Sequence, residues 1–166
     1  MSDIARIADT LRRAHDGDAW HGLAIGEALA DVTASEAAWR GPGVAHGIWE
    51  IALHATTWAR EVARRLRTGA ADHPEDDDWP ALPEQPGEGA WRETRERLAA
   101  AHAELQEALM AFDEDRLDDR MGDRRDPALG TGVSFHAMLY GLAQHDAYHA
   151  GQVAVLKRLV RSSGVR

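Results

Sequence analysis

Residues 134–161 read SFHAMLYGLAQHDAYHAGQVAVLKRLVR, and the spacing of apolar positions in that run decides the fold. Phe135, Met138, Leu142, Leu156 and Val160 recur at steps of three and four, with His145, His149 and Gln152 or Val153 continuing the same row. That is the inward stripe of one long α-helix, and Ser134 is placed to cap its start. The two histidines stand where leucines would be expected. One turn apart, they lie about 40° from each other around the helix axis. Burying a bare imidazole without a partner costs on the order of 1–3 kcal/mol, so two together in a seam need a reason.

Working outward, the same spacing predicts three more helices. Ile4, Ile7, Leu11 and Ala14 open the chain as an amphipathic helix that Asp16-Gly17-Asp18 breaks. Ile48, Ile51, Ala55, Trp58, Val62 and Leu66 mark a helix over residues 46–67, with Gly69 as its C-cap. Trp91, Leu98, Ala101, Leu105, Leu109 and Phe112 mark another over 90–112. A shorter helical segment is expected over 23–32. Residues 70–89 and 113–132 read as loops, the first pinned at one point by Trp79-Pro80. Four long helices with one apolar face each predict an all-α four-helix bundle, one domain over residues 1–166. A connection as long as 70–89 can cross the end of the bundle and join helices 2 and 3 as parallel neighbours.

Composition limits the function classes. The chain has 166 residues, 44% hydrophobic and 28% charged, which suits a single globular domain. Its net charge of −9 is spread along the chain, whereas a phosphate backbone is met by clustered Lys and Arg, so nucleic acid is not the expected partner. No apolar run is long enough to span a membrane, and Met1-Ser2-Asp3-Ile4 lacks the order of a secretion signal. The absence of cysteine removes disulfides, thiolate ligands and a cysteine nucleophile together, and a cytoplasmic protein is expected. The excesses are nine histidines and six tryptophans, against two tyrosines and two phenylalanines.

His54 repeats the anomaly of the last helix, because it falls within the apolar stripe of helix 2, beside Ile51 and Trp58. Three imidazoles from two helices could share a divalent cation and leave positions open for water or substrate. Spacing alone leaves the competing reading open, in which the histidines hydrogen-bond one another in a wet core. The order His145-Asp146-Ala147-Tyr148-His149 invites comparison with HExxH zinc peptidases. The seventeen residues after His149 hold no His, Asp or Glu, so any third ligand must lie upstream. That disfavours a peptidase and suits His54.

Glu50 lies one turn before His54 and is the candidate general base. Its alternatives are a carboxylate supporting a ligand and a plain boundary residue. Asp146 reads as a supporting or surface group, and Gln152 as substrate-binding or packing. His46 reads as a cap residue or part of the site mouth, and His102 as an unexpected fourth ligand. His136 should face away, and His15, His21 and His73 read as solvated. Trp20, Trp49 and Trp58 are core residues or pocket walls.

The run from His145 to Gln152, followed by Val153, Lys157 and Arg158, resembles the last-helix signature of DinB/YfiT-like proteins. The stretch from His46 to His54 is similar to their second-helix signature, and the Trp79-Pro80 loop, Trp91 and Phe135 also fit. The resemblance implies a four-helix bundle, commonly dimeric, with zinc or nickel on His54, His145 and His149. Where many members have serine this chain has Gly47, a change that bears on the local N-cap and not on the metal site. Characterised branches are thiol-dependent transferases or isomerases, and others are described as metal-dependent hydrolases. The expectation is therefore a metal-dependent hydrolase or thiol transferase acting on a small molecule, with a low-molecular-weight thiol from outside in the second case. A non-catalytic metal- or ligand-binding bundle, a sensor or scavenger, is the alternative.

Overall fold

The computed structural model describes residues 1–73, 77–123, 125 and 132–164. It contains α1 (Asp3–Asp16), α2 (Ile25–Leu29), α3 (Ala34–Ala38), α4 (Ile48–Thr68), α5 (Glu88–Met110) and α6 (Phe135–Ser162). The four long helices form the expected bundle. The short helix expected over 23–32 is α2, and α3 follows it where a turn was expected, because Thr33 restarts the chain: its hydroxyl accepts from the Glu36 N–H, and the Glu36 carboxylate accepts from the Thr33 N–H at 2.9 Å.

The ends of the long helices follow from side-chain chemistry. Ser2 and Ser134 cap α1 and α6 through hydrogen bonds from the Ala5 and Ala137 N–H groups. Gly47 brings no side chain to the start of α4; Glu50 reaches back instead and accepts from the Gly47 N–H at 2.7 Å. At the other end Gly69 adopts φ 72°, a left-handed conformation that favours glycine, and its N–H closes on the Arg65 carbonyl.

α4 and α5 run parallel. Trp49 meets Thr94 near their starts and Arg67 meets Glu104 further along. Beyond them, β1 (Ala70–Ala71) and β2 (Gly122–Asp123) pair in parallel. The long connection between α4 and α5 is thus the expected crossover. α6 runs against α4, with His54 opposite His145. α1 runs against α5, since the Ala8 carbonyl accepts from Gln106 while His15 lies on His102. The loop expected over 113–132 includes a 3-10 turn, Glu114–Arg116, and β2; residues 124 and 126–131 lie outside the described residues, as do 74–76 of the crossover.

The core is divided. One apolar cluster joins α1, the end of α4, the end of α5 and the start of α6, through Leu11, Val62, Leu105, Leu109, Phe135 and Leu139. The other joins α2 and α3 to the starts of α4 and α5 and to the second half of α6, through Ile25, Leu29, Trp49, Trp91, Leu98 and Val153. Between them a polar layer crosses the bundle, carrying His15, His54, His102, His145, Asp146 and His149. The site lies in that layer.

Candidate metal centre

His54 projects from α4, and His145 and His149 from adjacent turns of α6. Their Nε2 atoms converge: His145 Nε2 is 2.9 Å from His54 Nε2 and 3.0 Å from His149 Nε2. His54 and His149 are buried, while the His145 side chain keeps 25% of its surface exposed. The seam position expected for His145 is therefore its edge, and the layer opens to solvent on that side.

The other ring nitrogens decide what those lone pairs can do. His54 Nδ1 stands 2.6 Å from the backbone carbonyl of Asp78, which can only accept, so Nδ1 carries the proton. His149 Nδ1 donates to Gln152 Oε1 at 2.6 Å, and Gln152 in turn donates to the Tyr148 hydroxyl. Both Nε2 atoms are then unprotonated and aim their lone pairs at His145 Nε2. One proton there satisfies only one of the two contacts. A cation satisfies all three at once, and two imidazole nitrogens each bonded at about 2.0–2.1 Å to one ion stand about 3 Å apart. The donor set and its spacing fit a divalent transition metal.

Burial keeps the His54 and His149 rings neutral. It is the first cause of the lowered pKa of His54 and of the fall of His149 to about 4, with the charge of His145 acting next on His149. A neutral imidazole is the form that ligates.

Trp79 covers the site from the crossover. Its ring stacks on His54 with centroids 3.9 Å apart and on His46 with centroids 3.6 Å apart, so His46 lines the rim rather than merely capping the helix. Asp78, beside it, holds His54 through its carbonyl and accepts from Trp58 Nε1 at 2.8 Å through its carboxylate. Nothing in the local sequence singles out Asp78, because a loop carbonyl has no residue signature. Gln152 was legible from its position one turn past His149, though not as that ring's acceptor.

Two cavities flank the triad. The larger, about 620 Å³, lies on the His149 side under Trp79 and is walled by Val44, Ile51, Tyr148, Val155 and Leu156. The smaller, about 200 Å³, lies on the His145 side along the groove between α4 and α6.

The remaining candidates are placed as follows. The Glu50 carboxylate is engaged with the Gly47 N–H and the Arg40 guanidinium, whose Nε is 3.2 Å away. Asp146 is fully buried, 3.3 Å from His102 Nε2 and 3.9 Å from His145 Nδ1. His102 is not in the triad: it faces Asp146 and stacks on His15 with centroids 3.7 Å apart. His15, expected to be solvated, is instead buried, because the last turn of α1 delivers it into the polar layer. Burial pushes the His102 imidazole down to about 4 and lowers that of His15. His136 faces Asp118 and Tyr140, away from the triad as expected. Trp49 is core, Trp58 walls the smaller cavity, and Trp20 is fully exposed.

The comparisons agree with this architecture. A crystal structure described as that of a conserved protein of locus from Enterococcus faecalis superposes with a TM-score of 0.65 at 19% identity, covering 98% of this chain and 99% of that one. At that identity the likeness speaks for the fold. No curated protein matches the chain. A family model for the DinB superfamily matches residues 24–153, a span that includes all three converging histidines, and the chain belongs to that superfamily.

Proposed function

We propose that this protein binds one divalent transition metal, zinc or nickel, on His54, His145 and His149, and uses the open side of that site to activate a nucleophile toward a small-molecule substrate. The convergence of three Nε2 lone pairs, two of them fixed by acceptors on Nδ1, carries the reading. Three protein ligands leave room for an exchangeable position. The bound ion supplies a positive charge that lowers the pKa of a water or thiol and polarises an electrophile.

The chain's own residues supply the rest. Asp78 and Gln152 hold two ligands in the metal-binding tautomer, as outer partners of metal sites do. Trp79 shields His54 from water. The larger cavity offers an apolar bed of the size that takes small organic molecules. With no cysteine in the chain, a thiol nucleophile comes from outside, whereas hydrolysis needs only water. A general-base role for Glu50 requires its carboxylate to leave Arg40 or the Gly47 N–H.

Metal analysis by mass spectrometry on tag-free protein tests the reading, with wild type beside a His145→Ala/His149→Ala variant checked for helicity. About one transition metal per wild-type chain, lost in the folded variant, is expected. Wild type that takes up no metal after incubation with zinc or nickel overturns the proposal. Metal binding without turnover of ester, amide or thiol-acceptor substrates would leave the sensor or scavenger reading in its place.

A further inference from the structure

Asp146 is a carboxylate sealed inside the polar layer. It is 0% exposed, and neither of its carboxylate oxygens has a hydrogen-bond partner among the described residues. It stands between two histidines. Oδ2 is 3.3 Å from His102 Nε2 on α5, and Oδ1 is 3.9 Å from His145 Nδ1 on α6. Those two ring nitrogens are themselves buried and without a partner. Leaving a buried polar group unsatisfied is costly, most of all when it is charged. One residue step on a helix turns the chain by about 100°, so Asp146 reaches toward α5 while its neighbour His145 meets His54 of α4.

His145 is also the member of the triad whose second nitrogen is not yet accounted for. His54 Nδ1 donates to the Asp78 carbonyl and His149 Nδ1 to Gln152. The His145 side chain is 25% exposed, yet its Nδ1 lies on the sealed side and faces Asp146 Oδ1. A turn of the ring or carboxylate that brings these atoms about 1 Å closer gives an ordinary hydrogen bond.

We propose that Asp146 is the positioning residue for His145: Oδ1 accepts from His145 Nδ1–H and leaves the Nε2 lone pair for the metal, while Oδ2 stays on His102. The inference rests on the metal reading of the triad and deepens it. The opposite tautomer would aim a bare Nδ1 lone pair at a carboxylate, so Asp146 selects the form with the proton on Nδ1. His54 and His149 are already in that form. All three Nε2 atoms then present lone pairs to one place, which a cation satisfies and a shared proton does not. The carboxylate also puts a negative charge behind one ligand of a divalent ion, and such outer carboxylates raise ligand basicity. It faces Nδ1 rather than the converging Nε2 atoms, so it orients a ligand and does not act on the reacting group.

The test is zinc affinity by competition with a chromophoric chelator, joined to NMR of the ¹⁵N-labelled imidazoles in the zinc-loaded protein. Wild type should show His145 protonated on Nδ1, with that proton at low field and slow to exchange with water. Asp146→Ala should weaken zinc binding about 10–100-fold. Asp146→Asn, whose Oδ1 still accepts, should keep part of the affinity and move the His145 Nδ1–H signal upfield. His102→Ala removes the other neighbour of the carboxylate and should leave zinc affinity nearly unchanged. Wild-type affinity in a folded Asp146→Ala protein, a His145 proton that Asp146→Asn does not move, or an equal loss of affinity in His102→Ala each overturns the assignment. Should Asp146→Ala fail to fold, the His145 signal in wild type and Asp146→Asn decides. Wild type that binds no zinc fails the metal reading itself, whereas zinc on wild type with no loss in Asp146→Ala fails only this inference.

Discussion

At the scale of single residues, the site depends on groups that never touch a metal. Gln152 accepts from His149 Nδ1 and so keeps the Nε2 lone pair available. Gln152→Ala should lower zinc affinity about 10–100-fold, the usual effect of removing an outer partner, measured by competition with a chromophoric chelator. Unchanged affinity would mean that His149 orients itself. Glu50 makes the contrasting prediction. Its carboxylate stabilises the start of α4 where Gly47 has no side chain to do so, hence Glu50→Ala should cost about 1 kcal/mol in urea denaturation and leave metal content intact. Normal stability with lost turnover would instead make it a base. The three candidate ligands were legible in the sequence because a polar residue inside an unbroken apolar row is an anomaly. His15 was not, since it sits beside the Asp16-Gly17 break, where a last-turn residue and a loop residue look alike.

At the scale of elements, the long helices were readable because each carries one apolar stripe over three or more turns. The short ones were readable only in part, with α3 missed, because α2 and α3 have five residues each and too few turns to show a period. Their boundary was nonetheless written in capping chemistry, in Thr33 followed three residues later by Glu36. Thr33→Ala should cost about 1 kcal/mol of stability by the same assay, and no change would mean that packing alone starts α3. The crossover is an element whose length was legible and whose role was only half so. Trp79 was visible as an anchor, whereas its stacking between His46 and His54 and the Asp78 carbonyl beneath it depend on where a loop returns. Trp79→Ala should therefore speed zinc release in stopped-flow chelation while the helix content stays constant. Loss of helicity would instead make the loop a general clamp.

At the scale of the whole molecule, the bundle keeps two apolar clusters apart with a layer of histidines, and that layer ties stability to pH. Burial lowers the pKa of His15 and His54 and brings His102 and His149 to about 4, against about 6.5 in an unfolded chain. Each of these groups is neutral in the folded protein. Between about pH 6.5 and 4 the unfolded chain binds more protons than the folded one, so the free energy of unfolding falls as pH falls. Above that window the contribution is fully present. Below it, the fall continues through carboxylates such as Asp123, held near 2 by Arg125. A metal on the triad changes the outcome, because ligating imidazoles cannot protonate until the ion leaves, and any ligand bound only to the folded state adds stability. Urea denaturation across pH 7 to 4.5 should show a steady loss for the chelator-treated protein. With zinc, the protein should be more stable at pH 7, and its loss should begin in the same window, because the unfolded chain takes up its protons there either way, and become steeper where the ion is released. Superimposable curves with and without zinc would mean that the layer is held by hydrogen bonds alone. A metal-free protein equally stable at pH 7 and 4.5 would mean that its histidines are already solvated enough to charge in place.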